Sequence, residues 1–341
     1  MRTVTLGKTG LTVSEFGFGG IPITRLAFKD AVAVVRYAFE QGITLFDTAN
    51  AYRDSERKIG QALAPVRDEV ICATKTSARD AKNAAKHVEK SLKSLRTSTI
   101  DLYQLHNVSN KETLEKVLAP GGAYEALEKA RSQGTIRLIG LSSHSIPIAI
   151  KACRTGLFDT LQFPFNFIEC EPVDKLFTVA MEKGMGIIAM KALGGGLLQR
   201  ADLCFRFLQQ YPYVVPIPGI EDKRELEEII DLYRSPRPPS KAEWNEIERT
   251  RAELGTRFCH RCEYCLPCKR GVQISMILGF RSNAKRFPPS AVISVWDSAM
   301  RSLENCEECG ECAEKCPYEL PVPELLKESL SYFRNFVRDH R

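Results

Sequence analysis

Two rhythms of apolar and polar positions share the first two thirds of the chain. Short apolar runs at Val13–Gly19, Thr44–Asp47, Val70–Thr74, Leu102–His106, Ile136–Leu141, Thr160–Phe165, Gly186–Met190 and Val214–Pro218 predict strands. Between them, stretches such as Asp30–Gln41, Ala84–Ser94, Ala123–Ser132, Asp174–Lys183 and Arg224–Tyr233 carry apolar residues at i, i+3 and i+4. That spacing predicts helices that lay one stripe on a sheet. Strands alternating with helices make a parallel sheet, and eight such units are the number that closes a (β/α)₈ TIM barrel. A doubly wound sheet would want Gly-x-Gly-x-x-Gly in its first strand-to-helix turn. The near match Gly17-Phe18-Gly19-Gly20-Ile21-Pro22 fails at its third glycine, so the α/β barrel is the expected fold, over residues 1–235.

Before the barrel, Thr3–Leu6 and Leu11–Val13 flank Gly7-Lys8-Thr9-Gly10 and predict a hairpin that could plug the barrel's bottom. After it, residues 236–255 form a linker and a helix. The stretch from Ser235 to Ser240 holds three prolines and is stiff. Ser240 can cap the next helix, with Glu243 at the reciprocal capping-box position. Residues 256–341 form a third, cysteine-rich region in which Gln273–Phe280 and Ala291–Leu303 read as helices.

Composition narrows the function classes. The 341 residues are 44% apolar and 26% charged, an ordinary globular balance. The formal charge of +6 is spread along the chain, without the basic patch and interleaved aromatics of a nucleic-acid binder. The N-terminus has no apolar core of signal-peptide length, and no run approaches the roughly 20 apolar residues of a membrane helix. A cytoplasmic protein with no nucleic-acid or membrane partner is expected.

Twelve cysteines change the picture. Cys72, Cys153, Cys170 and Cys204 are isolated and read as small core residues. The other eight lie in two tight runs, which without an export signal indicate metal ligation rather than disulfides. The second run, Cys306-x2-Cys309-x2-Cys312-x3-Cys316-Pro317, has the bacterial ferredoxin spacing. In that pattern three thiolates hold one [4Fe–4S] cube and the fourth ligates the other. The first run, Cys259-x2-Cys262-x2-Cys265-x2-Cys268, is one residue short before its last cysteine, and Lys269 stands in the proline's place. Two [4Fe–4S] clusters are expected, one on Cys259, Cys262, Cys265 and Cys316, the other on Cys306, Cys309, Cys312 and Cys268. The alternative is one cluster beside a decayed or zinc-bound first run. His260 reads as a surface histidine. Acidic residues crowd the second run and basic ones the first, so the two potentials should differ. The expected fold of 256–341 is a mainly helical ferredoxin-like iron-sulfur domain.

In a barrel, chemistry sits at the C-terminal ends of the strands. Asp47, Lys75 and His106 stand at three neighbouring ends, and Tyr52 follows Asp47 within loop reach. A charged lysine beside an aspartate lowers a nearby tyrosine's pKa. Such a tyrosine can protonate a carbonyl oxygen that a histidine orients. The set suits hydride addition to an aldehyde or ketone.

The chain resembles the aldo-keto reductase superfamily. The likeness rests on Leu6–Ser14, Phe46–Tyr52, Ser55–Gly60, Ala73–Lys75, Asp101–His106, Ile139–Ser142 and Ile217–Gly219, in family order. The whole architecture is similar to the subgroup of oxidoreductases that append a 4Fe–4S ferredoxin-like module to such a barrel. The resemblance implies NAD(P)H-dependent carbonyl reduction. Tyr52 would be the general acid, Lys75 and Asp47 its tuning pair, and His106 the substrate orienter. It implies cofactor contacts at Ser142, Ser143, Gln162, Met190, Lys191, Gly194 and Gly219. Ser143 and Met190 depart from the family's usual asparagine and tyrosine. Ile220–Glu225 is acidic where NADPH-preferring members place cations.

The expected function is therefore oxidation or reduction of a small carbonyl or alcohol substrate with NAD(P)(H), electrons being exchanged through two clusters. One alternative dispenses with nicotinamide and takes electrons from a ferredoxin-like partner. Another is an electron-transfer subunit whose barrel does not catalyse.

Overall fold

The computed structural model describes residues 1–340 apart from Thr256, Arg261, Cys262, Glu263, Arg286 and Pro317. The chain divides into two compact units, Met1–Leu193 with Leu198–Pro238, and Gly194–Leu197 with Pro239–Arg341. No helix among the described residues is long and apolar enough to cross a membrane.

The first unit begins with a hairpin of β1 (Thr3–Thr5) and β2 (Thr12–Ser14), paired antiparallel. Eight parallel strands follow in sequential order: β3 (Phe18–Gly19), β4 (Leu45–Asp47), β5 (Ile71–Thr76), β6 (Ile100–Leu105), β7 (Ile136–Ser142), β8 (Thr160–Pro164), β9 (Gly186–Met190) and β10 (Val214–Pro216). The sheet closes on itself. Gly17 N donates to the Pro216 carbonyl and Gly19 N to the Pro218 carbonyl, both at 2.8 Å, and Gly19 bridges Gly219 in parallel. A side chain at Gly19 would not fit there, because a Cβ would stand 2.7 Å from the Pro218 oxygen.

Of the helices α1 (Phe28–Glu40), α2 (Ser55–Leu63), α3 (Ala81–Leu95), α4 (Lys111–Leu118), α5 (Ala123–Ser132), α6 (Ile146–Arg154), α7 (Thr178–Glu182), α8 (Ala201–Leu208) and α9 (Lys223–Arg234), α1 packs on α2, α2 on α3, α3 and α4 on α5, α4 on α6, α6 on α7 and α8 on α9, and α9 returns to α1. Leu6, Leu11 and Val13 of the hairpin region are buried in one cluster with Leu45, Ala73, Leu102, Ile188 and Val215 from the strands. The hairpin thus fills one end of the barrel and leaves the other for chemistry.

The second unit holds α10 (Lys241–Gly255), α11 (Ile274–Leu278), α12 (Phe280–Ala284), α13 (Pro289–Arg301), α14 (Glu311–Glu314) and α15 (Val322–Asp339). Its core is built by Ile277, Phe280, Val292, Met300, Leu326 and Phe333 among others. The Ser240 cap forms as expected: Ser240 N donates to Glu243 Oε2 at 2.7 Å, and Glu243 N donates to Ser240 Oγ at 3.3 Å.

Three elements differ from the sequence reading. The run Val13–Gly19 is not one strand, because Ser14 Oγ donates to the Phe16 carbonyl at 2.6 Å and turns the chain between β2 and β3. Asp174–Lys183 is not a uniform helix. Its first part is a wide π turn over Val173–Phe177, followed by α7, and Thr178 Oγ1 donates back to the Val173 and Asp174 carbonyls. Gln273–Phe280 ends at Gly279, where α11 gives way to α12. Of the four isolated cysteines, Cys72, Cys153 and Cys204 are buried, whereas Cys170 is only half-buried.

Candidate active site

Alternation along β4, β5 and β6 turns every second side chain inward. Asp47 ends β4, Lys75 lies near the end of β5, and Gln104 stands beside Lys75 in register on β6. All three are at most 4% exposed. Lys75 Nζ donates to both carboxylate oxygens of Asp47 at 2.6 Å and to the Thr48 carbonyl at 2.7 Å. Every ammonium proton therefore has an acceptor. Gln104 Nε2 adds a bond to Asp47 Oδ1 at 3.3 Å. Burial pushes the Asp47 carboxyl up and the Lys75 ammonium down, and each charge offsets the other's shift. Gln104 was not singled out in the sequence; its signal is the inward alternation Leu102, Gln104, His106.

Tyr52 and His106 are half-buried. The Tyr52 hydroxyl lies 3.5 Å from His106 Nε2, and the two rings meet edge to face with centroids 5.5 Å apart. Lys75 Nζ stands 5.4 Å from the Tyr52 ring centroid. Burial first, then the positive charges of Lys75 and Arg79, press the His106 imidazolium down to a pKa of about 3. The ring is consequently neutral at physiological pH and can act as donor or acceptor without carrying charge. The structure thus brings Asp47, Tyr52, Lys75 and His106 together at one end of the barrel.

The residues implied to touch a nicotinamide fall on β7, β8, β9 and the segment after β10. Ser142 Oγ accepts from Asn107 N at 2.9 Å, which leaves its own proton free to donate. Ser143 is turned toward its own loop, where Ser145 N donates to Ser143 Oγ at 3.2 Å. Gln162 is 2% exposed, and its Oε1 is buried without a hydrogen-bond partner. Met190 ends β9 half-buried. Lys191 follows with a left-handed backbone (φ +61°), and its Nζ is also buried with no partner. Gly219 closes the barrel against Gly19. Gly194 opens three successive left-handed glycines, Gly194 to Gly196, and belongs to the second unit, in which Ser282 Oγ donates to the Gly195 carbonyl at 3.2 Å.

In the second unit, Cys265, Cys268, Cys306, Cys309 and Cys312 line one hollow that is partly open to solvent. Cys259 and Cys316 are half-buried against the unit's core, and Cys262 lies outside the described residues. Among the described residues no three Cys, His, Asp or Glu side chains converge as they would around a single metal ion. His260 is buried rather than on the surface, because its ring stacks on Tyr318 with centroids 3.7 Å apart. The opposite charges on the two cysteine runs do not face the runs separately. Lys269 pairs with Glu311 and Arg270 with Glu307, both at 2.5 Å, and Lys327 pairs with Glu308 at 2.7 Å. Much of the expected difference in local field is cancelled by these pairs.

Residues 15–203 match the sequence model of the aldo/keto reductase family. Over 218 residues the chain is 32% identical to the aldo-keto reductase YhdN of Bacillus subtilis (strain 168), covering 58% of this chain and 64% of that protein's length. Among solved structures it is similar to the holo form of aldo-keto reductase AKR11C1 from Bacillus halodurans, with a TM-score of 0.65 at 21% identity over 73% of this chain and 96% of that one. A Klebsiella pneumoniae aldo/keto reductase in complex with NADP and acetate gives a TM-score of 0.61 at 22% identity, covering 73% of this chain and 95% of that one. The structural matches establish the barrel fold.

Proposed function

The chain belongs to the aldo/keto reductase family, a family of oxidoreductases, and on that premise we propose that it reduces a small aldehyde or ketone to an alcohol with NAD(P)H. The observation that carries the reading is the buried Lys75–Asp47 pair at 2.6 Å, with Lys75 Nζ 5.4 Å from the Tyr52 ring centroid and the Tyr52 hydroxyl 3.5 Å from the neutral His106 ring. A bound nicotinamide would supply the hydride for the carbonyl carbon. Tyr52 gives its hydroxyl proton to the carbonyl oxygen, so carbonyl, reduced cofactor and one proton become alcohol and oxidised cofactor. The fixed ammonium of Lys75 stabilises the phenolate left behind. Asp47 holds that ammonium in place, and His106 orients the carbonyl oxygen without competing as an acid.

The residues at β7 to β9 fit such a cofactor. A buried amide oxygen on Gln162 and a buried ammonium on Lys191, each without a partner, are costly unless a ligand completes them. A carboxamide NH₂ answers the first and a pyrophosphate answers the second. Ser142 would donate to the carboxamide oxygen, Met190 would cover the ring and Gly219 would admit the backbone close by. Ser143, committed to Ser145, is the weakest of the expected contacts. The test is turnover of NADPH or NADH with a panel of aldehydes. Tyr52→Phe should remove about 10²–10⁴ of kcat and leave cofactor affinity, read by quenching of protein fluorescence, within twofold. Undiminished turnover in that variant would refute the assignment.

We further propose that the second unit carries two [4Fe–4S] clusters. The ferredoxin spacing of Cys306, Cys309, Cys312 and Cys316 supports this, as does the hollow that Cys265 and Cys268 of the first run line with Cys306, Cys309 and Cys312 of the second. Thiolates around a cube stand farther apart than those around one ion, so an open hollow suits the cluster. Such clusters would supply one-electron transfer to a ferredoxin-like partner. Iron and sulfide counted on anaerobically purified protein should give about eight of each, four per cube; none would refute it. A ferredoxin-linked reductase without nicotinamide is the second reading, favoured by the turned-in Ser143 hydroxyl. Absence of NADH and NADPH binding would select it.

A further inference from the structure

Arg79 lies four residues beyond Lys75, in the loop that joins β5 to α3. The loop is fixed at both ends. Ala123 N donates to the Arg79 carbonyl at 3.1 Å, Ala81 N donates to the Gly121 carbonyl at 2.8 Å, and Asp80 caps α3 by accepting from Asn83 N at 2.9 Å. From this rigid backbone the half-buried guanidinium reaches the residue beside His106, where Nη2 donates to the Asn107 carbonyl at 3.0 Å. Its Nη1 is buried and has no hydrogen-bond partner, and among the described residues no carboxylate pairs with Arg79. Burial pushes its pKa down, and its charge is felt at the His106 ring.

An arginine cannot relieve this cost by losing its proton. An anion compensates a desolvated guanidinium better than a neutral acceptor does, and the planar fork matches a carboxylate in two parallel bonds. We propose that Arg79 receives a carboxylate of the substrate, so that the barrel is built for small oxo acids. This inference rests on the reductase reading. The carbonyl oxygen then sits at Tyr52 and His106, with the acid group a few bonds away on the His106 side.

The test compares 4-oxopentanoate with its methyl ester as substrates of the wild type, Arg79→Gln and Arg79→Lys. The wild type should prefer the acid by tenfold or more in kcat/KM, chiefly through KM. The preference should collapse toward unity in Arg79→Gln and survive in part in Arg79→Lys. An unchanged ratio in Arg79→Gln, with its melting temperature preserved, overturns the inference. If Arg79→Gln does not fold, a ratio unchanged in Arg79→Lys together with no acid preference in the wild type does the same. If the wild type reduces neither compound, the aldehyde panel decides the reductase reading on its own. Calorimetric titration with pentanoate then decides Arg79 separately: binding lost in Arg79→Gln supports it, and equal binding, or none by the wild type, overturns it.

Discussion

Lys75 Nζ lies 2.6 Å from both carboxylate oxygens of Asp47, and both side chains are almost fully buried. An ion pair so placed gains little over an apolar pair of the same shape, yet removal of one partner strands the other's charge. Asp47→Asn should therefore cost about 3–5 kcal/mol of unfolding free energy, read by denaturant titration. Lys75→Met should cost less, because Gln104 still donates to Asp47 and an aspartate can neutralise by taking a proton. The double variant should be more stable than Asp47→Asn alone. Equal stability of Asp47→Asn and wild type would show that the pair is not charged.

His106 makes stability depend on pH. Its folded pKa of about 3 is below the ordinary value near 6.5, so the unfolded chain takes up a proton that the folded chain refuses. Stability from this group is full above about pH 6.5 and is lost as the pH falls toward 3. Between pH 6.5 and 5 the loss is up to about 2 kcal/mol for one such histidine. His106→Gln lacks it, so the stability gap between wild type and variant should move toward the variant by that amount on acidification. A gap independent of pH would mean that His106 is protonated in the folded protein.

Much of this site was legible in the sequence, for a physical reason. Asp47, Lys75 and His106 each terminate an apolar run, and in a parallel barrel the ends of consecutive runs meet. Adjacency of β4, β5 and β6 then follows from chain order alone. What escaped depends on partners distant in sequence. Gln104 counts only because Asp47 faces it across the barrel. His260 is buried by Tyr318, and the charges of the two cysteine runs cancel through pairs such as Lys269–Glu311. Spacing within a run carries none of that information. The break between β2 and β3 was hidden for the opposite reason, since one short bond from Ser14 Oγ to the Phe16 carbonyl overrides a continuous apolar pattern.

The cysteines divide into two kinds, and substitution should separate them. Cys309 is exposed and lines the hollow, whereas Cys204 is buried in α8, where burial raises its thiol pKa far above the ordinary value. Cys309→Ser should lower the iron and sulfide content and bleach the visible absorption of anaerobically purified protein, with the barrel's melting transition unaltered. Cys204→Ser should leave iron untouched and lower that melting transition, because a hydroxyl replaces an apolar group; the cost is about 1–3 kcal/mol. Loss of iron in Cys204→Ser alone would invert the assignment.

If the chain binds nicotinamide as proposed, the start of α9 bears on which form is preferred, because the family resemblance implies cations there in NADPH-preferring members. Here Asp222 accepts from Arg224 N at 2.7 Å, and Glu225 closes a capping box by accepting from Asp222 N at 3.3 Å. Arg224 is turned back onto Asp222, and Lys223 sits 4.6 Å over the Tyr37 ring. A 2′-phosphate at this helix start would meet carboxylates first, and NADH should bind at least as tightly as NADPH. Glu225→Lys should shift the affinity ratio toward NADPH by tenfold or more, and should cost about 1 kcal/mol of stability through the lost cap. Fluorescence titrations of both cofactors check it. Tenfold tighter binding of NADPH by the wild type would show that Lys223 and Arg224 swing out to meet the phosphate, against the geometry they hold here.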